Sequence, residues 1–170
     1  MSGTRSVPCV GCGGMFREHD GPTHRYMESS PGCWEAFGKV LAREYGDPAY
    51  RRSHRLTVDA YAVQHPGRQS PQAIQSVAVH LIGLSLVLER GVDMLRATSA
   101  IRIAASRKNF YRWLEPPSSR GDTTVAEVLR ARNAEEHRVA VDAWARAVWL
   151  AWSAHHDTVR AWASDLLVAD

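Results

Sequence analysis

Apolar positions recur at helical spacing along most of the chain, and turn signals cut the pattern into segments. Trp34, Phe37, Val40 and Leu41 share one side of a segment that opens at Ser30-Pro31 and ends near Gly46-Asp47-Pro48. Asp47 as cap with Pro48 behind it, and His65-Pro66-Gly67 as a stop, predict a helix over 48 to 65. Ser70-Pro71 opens another, with Ile74, Val77, Leu81, Leu84 and Leu88 three and four apart and Val79, Ile82 and Leu86 around the other side, until Gly91. A helix apolar nearly all round is a buried central one, and the short turn before it makes the two helices antiparallel neighbours.

Further on, an amphipathic stretch from Met94 to Leu114 closes on an aromatic end before Pro116-Pro117, and residues 116 to 123 form a loop. Thr124 with Glu127, and Asn133 with Glu136, are spaced as capping boxes for a short and a long helix. The long one carries Val148, Trp152, His155, Val159, Trp162 and Leu166 in four-three alternation, which puts His155 on the apolar stripe and the tryptophans in the core. The expected fold is all-α: a helical bundle over residues 34 to 170 with a zinc-knuckle-like segment over 1 to 33, together one compact domain.

With 170 residues and 45% hydrophobic content, the chain can bury one good core. It has no charged-then-apolar leader and no run of 18 apolar residues, so a cytoplasmic protein without a membrane segment is expected. Formal net charge is +3, too modest a balance to imply nucleic acid. Arg96, Arg102, Arg107, Lys108 and Arg112 nevertheless interleave with Phe110, Tyr111 and Trp113, a composition that a partner surface or a stacking platform for single strands would use.

Candidate chemistry changes this picture at two places. Cys9 and Cys12 stand in VPCVGCGG, the Cys-x-x-Cys-Gly form of a zinc knuckle, and Cys33 lies in the first turn of the helix after Pro31. An odd number of cysteines, clustered near the N-terminus, argues for metal ligation over disulfides. Three thiolates need a fourth ligand, and His24 in DGPTHRYM is the first choice, with His19 and His54 as alternatives. A site left without one would be open to water.

The second place is HRLTVDAYAVQHPGRQSPQAIQSVAVH, residues 54 to 80. His54 and His65 lie roughly 16 Å apart along one helix, too far to share an ion, whereas His80 lies roughly 13 Å up the next helix, level with His54. One of His155 and His156 could meet this pair across the bundle, while His137, roughly 27 Å from His155, could not. Asp59 could orient a ring or ligate.

CVGCGG, DGPTHRYMESSPGCW, HRLTVDAYAVQHP, VHLIGLSLVLERG and AVWLAWSAHHDTVRAW together resemble a family of small bacterial proteins classed as a domain of unknown function, over nearly the whole chain. The resemblance implies one shared architecture and no reaction. A weaker likeness is to bacterial four-helix metalloproteins with three histidines facing the bundle interior, from which the adjacent His155-His156 pair departs.

These observations favour a metal-dependent enzyme acting on a small molecule. His54, His80 and His155 or His156 would hold an ion with open positions, Asp59 would orient a ligand or act as base, and Tyr61 would donate to a developing oxyanion. That second ion could be iron, manganese, copper or zinc. The alternative is a non-catalytic regulator or adaptor, stabilised by zinc and binding protein or nucleic acid through residues 96 to 112. In a third arrangement one zinc is shared between the cysteines and a histidine of the central helices, with no second site.

Overall fold

The computed structural model describes residues 5–167. A two-stranded antiparallel hairpin, β1 (Ser6–Pro8) and β2 (Met15–Arg17), pairs Val7 with Phe16. Helices follow: α1 (Pro31–Gly46), α2 (Pro48–Arg51), α3 (His54–Gln64), α4 (Pro71–Leu84), α5 (Met94–Ser106), α6 (Val125–Leu129), α7 (Ala134–Ala151) and α8 (His156–Ala163). The fold is thus mostly helical, as the periodicity predicts, with cysteines clustered near the N-terminus.

Capping places the helix starts where the sequence signals them. Ser30, Ser70 and Asn133 side chains accept from the backbone N–H three residues on, and Thr124 with Glu127 forms a complete capping box. The antiparallel pair α3 and α4 is the centre of the packing, with α7 against α3, and α5 and α8 against α4. Trp144 and Trp152 are wholly buried between them. Their indole N–H groups donate to Gln64 Oε1 (2.9 Å) and the Val63 carbonyl (3.1 Å), so both large rings meet their polar needs at the end of α3.

Three helices end earlier than the apolar pattern predicts. The 48 to 65 segment divides because the chain tightens at Arg52-Ser53, where Ser53 N–H bonds Tyr50 O three residues back. The stretch after Met94 leaves the helix at Ser106. There the Tyr111 hydroxyl donates to Ala104 O, the Gln75 amide to Ala105 O (both 3.0 Å), and Asn109 turns into the left-handed region at φ 61°. The last long stripe breaks between Ala151 and His156 through a 3₁₀ turn, Ser153–His155. His156 Nε2 donates there to the Trp149 carbonyl (2.9 Å), which also accepts the Trp152 N–H (3.1 Å) as α7 ends.

Beyond Leu84 the central helix continues as a π-helical turn, Ser85–Glu89. By length and composition Pro71–Glu89 is apolar enough to cross a membrane, which qualifies the expectation that no stretch is, and 56% of its most apolar window is buried inside the fold. A core helix packed on several faces passes the same compositional test.

Candidate metal centre

Cys9, Cys12, Cys33 and His65 bring one ligand atom each to within 4.8 Å of one another, and the four could hold a metal ion. No other group of three or more histidines, cysteines or carboxylates does so among the described residues. Each arrives by a separate local device. Cys9 and Cys12 sit in the tight turn of the hairpin, where Gly13 N–H bonds Cys9 O (2.9 Å) and Cys9 N–H bonds Gly14 O (2.8 Å). Cys33 is in the first turn of α1, its N–H bonded to the Ser30 cap (3.3 Å), and its thiol is wholly buried.

His65 terminates α3, and its position is set from outside that helix. The adjacent Gln64 amide donates to Arg120 O (3.0 Å) and Thr123 O (2.9 Å) while accepting from Trp144, which pins the helix end to the 120–123 loop and to α7. His65 Nδ1 donates to Tyr61 O (2.8 Å), leaving Nε2 as the lone-pair nitrogen, 3.4 Å from Cys33 Sγ. A backbone carbonyl on one ring nitrogen is the usual way a histidine ligand is oriented. Gly11 stands against this ring: a Cβ there would overlap His65 Cδ2 and the Glu28 carbonyl, so only glycine lets the turn close on the histidine.

The spacing fits a tetrahedron. Metal–sulfur bonds of ~2.3 Å and metal–nitrogen bonds of ~2.05 Å imply sulfur–sulfur edges of roughly 3.8 Å and sulfur–nitrogen edges of roughly 3.6 Å. Cys12 and Cys33 Sγ lie 3.9 Å apart, and Cys33 Sγ lies 3.4 Å from His65 Nε2. The three cysteines are free thiols. Hydrogen bonds with Cys12 and Cys33 hold the Cys9 thiol well below the usual thiol range against its burial. Cys33 lowers the Cys12 thiol, but contact with Cys9 and burial outweigh this and leave it pushed up to about 12. Contacts with Cys12 and Cys9, then burial, push Cys33 well up. The trio therefore yields one thiolate readily and resists the next, because like charges crowd in a buried space, and a divalent cation removes that resistance.

Surrounding groups complete the setting. Ser30 N–H points at Cys9 Sγ (3.3 Å), and the buried Tyr61 hydroxyl lies 3.6 Å from Cys33 Sγ, its ring between Phe37 and His65 at 3.8 and 4.0 Å. Burial, then the neighbouring Cys33, pushes the Tyr61 phenol up, so it stays a hydrogen-bond donor. Arg120 Nη1 donates to Gly11 O (2.5 Å) and places a guanidinium beside the cluster, where three thiolates and a divalent ion leave a net negative charge.

The other candidate residues lie elsewhere. His24 Nδ1 accepts from Tyr26 and Met27 N–H (both 3.3 Å) and organises its own loop, so the fourth member of the cluster is His65 in its place. His19 lies between Asp20 O (3.0 Å) and the Glu35 carboxylate (3.1 Å). His54 is held by the buried carboxylate of Glu44 (2.9 Å), which also takes His137 Nε2 (2.8 Å) and Thr57 Oγ1 (2.5 Å). His80 meets Asp59 (2.7 Å), and Arg55 braces the same carboxylate through Nε (2.9 Å). His155 Nε2 donates to Glu115 O (2.8 Å), and His156 stacks on Trp149 at 3.8 Å. The structure thus separates His54, His80, His155 and His156 rather than gathering them at one centre, because each ring already has a different partner. Of the basic 96 to 112 segment, Arg107 pairs with Asp165 (3.1 Å) and Arg112 donates to Thr158 (3.1 Å).

The sequence names His24, with His19 and His54 as alternatives, for the fourth place and leaves open a histidine of the central helices without saying which; the position of His65 directly before Pro66-Gly67, at a helix end facing a turn, is the signal for it. No curated protein and no solved structure matches the chain. A family model described as a family of unknown function, DUF5946, matches residues 7–153, a span that contains all four members of the cluster, and the chain belongs to that family.

Proposed function

We propose that the chain is a zinc protein in which Cys9, Cys12, Cys33 and His65 hold one ion at a closed, structural site. The observation that carries this is the one such set among the described residues, three thiols and an oriented imidazole within 4.8 Å, built from three distant parts of the sequence. A three-sulfur, one-nitrogen set near tetrahedral spacing suits zinc, whereas harder ions prefer oxygen. Four protein donors leave no coordination position for water or substrate, which separates this site from a catalytic one. When bound, the ion supplies a cross-link between the hairpin turn, the start of α1 and the end of α3. Three unpaired thiols suit a reducing compartment such as the cytoplasm.

On this reading the metal braces the helical body, and metal-dependent chemistry through His54, His80 and His155 or His156 is set aside. Cobalt(II) substitution tests the donor set. Intense tetrahedral d–d absorption with a thiolate charge-transfer band is expected, and both are lost in Cys33→Ser. A weak six-coordinate spectrum without charge transfer in the intact chain would refute the assignment.

A further inference from the structure

Apart from Gln75, which bonds the end of α5, the polar side chains of α4 are Gln72, Ser76 and His80, which are four residues apart and lie on one face. This polar stripe faces an open cavity of about 420 Å³ between the first turns of α4 and the end of α5, edged by Tyr26, Lys108 and Asn109. The volume is within the range of small-molecule sites. No acidic side chain lines it. The side chains of Gln72, Ser76, Lys108 and Asn109 and the Tyr26 hydroxyl make no hydrogen bond or ion pair among the described residues, so the cavity presents one cation and several neutral polar groups without internal partners.

His80 is the member with a support built behind it. Its Nδ1 lies 2.7 Å from Asp59 Oδ1, and the Asp59 side chain is fully buried and bonded to Arg55. A carboxylate can only accept, so Nδ1 carries the proton, and the 3.4 Å approach of Arg55 Nη2 to Nδ1 is a donor beside a donor. In the neutral ring Nε2 is then the lone-pair nitrogen; it bonds no protein group among the described residues, and the ring lines the cavity with a fifth of its side chain exposed. The sequence makes room for this pair. Gly83 sits inside a core helix, where glycine costs about 1 kcal/mol against alanine. A Cβ on it would overlap Asp59 Oδ2.

The geometry points to a binding site in this cavity for a small hydroxylated anion: the ligand hydroxyl donates to His80 Nε2, its anionic group pairs with Lys108, and Asp59 is the positioning residue that fixes the imidazole tautomer. The site goes beyond the metal reading and does not depend on the ion's identity. Its chemistry is shared by hydroxycarboxylates and by phosphorylated alcohols, and the probes separate them.

The test is titration of the metal-loaded chain with lactate, glycerol 3-phosphate, propionate and glycerol, read at the His80 ring carbon–proton resonance. Saturable shifts are expected with lactate, glycerol 3-phosphate or both, and whichever binds names the anionic group. Propionate lacks the hydroxyl and glycerol lacks the charge, so each should bind at least about tenfold more weakly. Lys108→Gln, an exposed substitution that should keep the metal content and the fold, is expected to weaken binding about fivefold, since the charge-assisted pair with the anion is lost. No saturable shift with either hydroxylated anion would overturn the proposal, as would equal binding of propionate or glycerol, or unchanged affinity in Lys108→Gln.

Discussion

Glu44 is a fully buried carboxylate in the last turn of α1, and three side chains from other elements converge on it. Burial alone would raise its pKa, but the hydrogen bonds from His137, His54 and Thr57 outweigh burial and hold it below the usual carboxylate value. A depressed folded-state pKa stabilises the fold fully above the unfolded value of about 4.3, and that stability is lost as the pH falls through the lower folded value. Glu44→Gln should therefore cost about 3 kcal/mol at neutral pH, because it leaves buried donors facing an amide. Acid unfolding from pH 5 downward should be less steep in the variant than in the natural chain; equal slopes would remove Glu44 from the account. The sequence signalled the cysteines residue by residue, since their short spacing and the glycines beside them are local. It did not signal the Glu44 cluster, whose members come together only through the packing of α1, α3 and α7.

Helix starts were legible at the scale of the element because caps are local: Ser30, Asp47, Ser70, Thr124 and Asn133 each precede a helix. Helix ends were less so. At those of α5 and α7 the side chains of Tyr111, Gln75 and His156 bond backbone carbonyls of the last turn, contacts that periodicity cannot express. The apolar stripe from Val148 to Leu166 remained continuous on paper while the chain turned at Trp152 to satisfy its indole on α3. In α4 the periodic pattern hides a specific constraint at Gly83. Gly83→Ala should gain helix propensity yet lower stability by about 2 kcal/mol net, since the new methyl displaces the Asp59 carboxylate in a packed core. Thermal unfolding with the His80 ring resonance as a second readout checks this. A higher melting temperature with an unmoved His80 signal would mean that the space at Gly83 is not reserved for Asp59.

For the whole molecule, the cluster joins segments that sequence reasoning treats separately: a hairpin, the start of α1 and the turn after α3. The apolar pattern establishes that α3 and α4 are antiparallel, which fixes where His65 ends relative to the bundle, but not that the hairpin folds back onto that end. That arrangement needs Arg120 on the Gly11 carbonyl and Gln64 on the 120–123 loop, contacts spanning 109 and up to 59 residues. It corresponds to the arrangement in which a histidine of the central helices joins the cysteines, and the separate histidine centre has no counterpart among the described residues.

The most direct test is metal content per chain by elemental analysis, measured on the purified protein and on His65→Ala, His24→Ala and His80→Ala variants in parallel. The account predicts one equivalent of zinc in the natural chain, retained in His24→Ala and His80→Ala and lost or greatly reduced in His65→Ala. Full retention in His65→Ala with loss in His24→Ala would contradict it and move the fourth ligand back to the loop before α1.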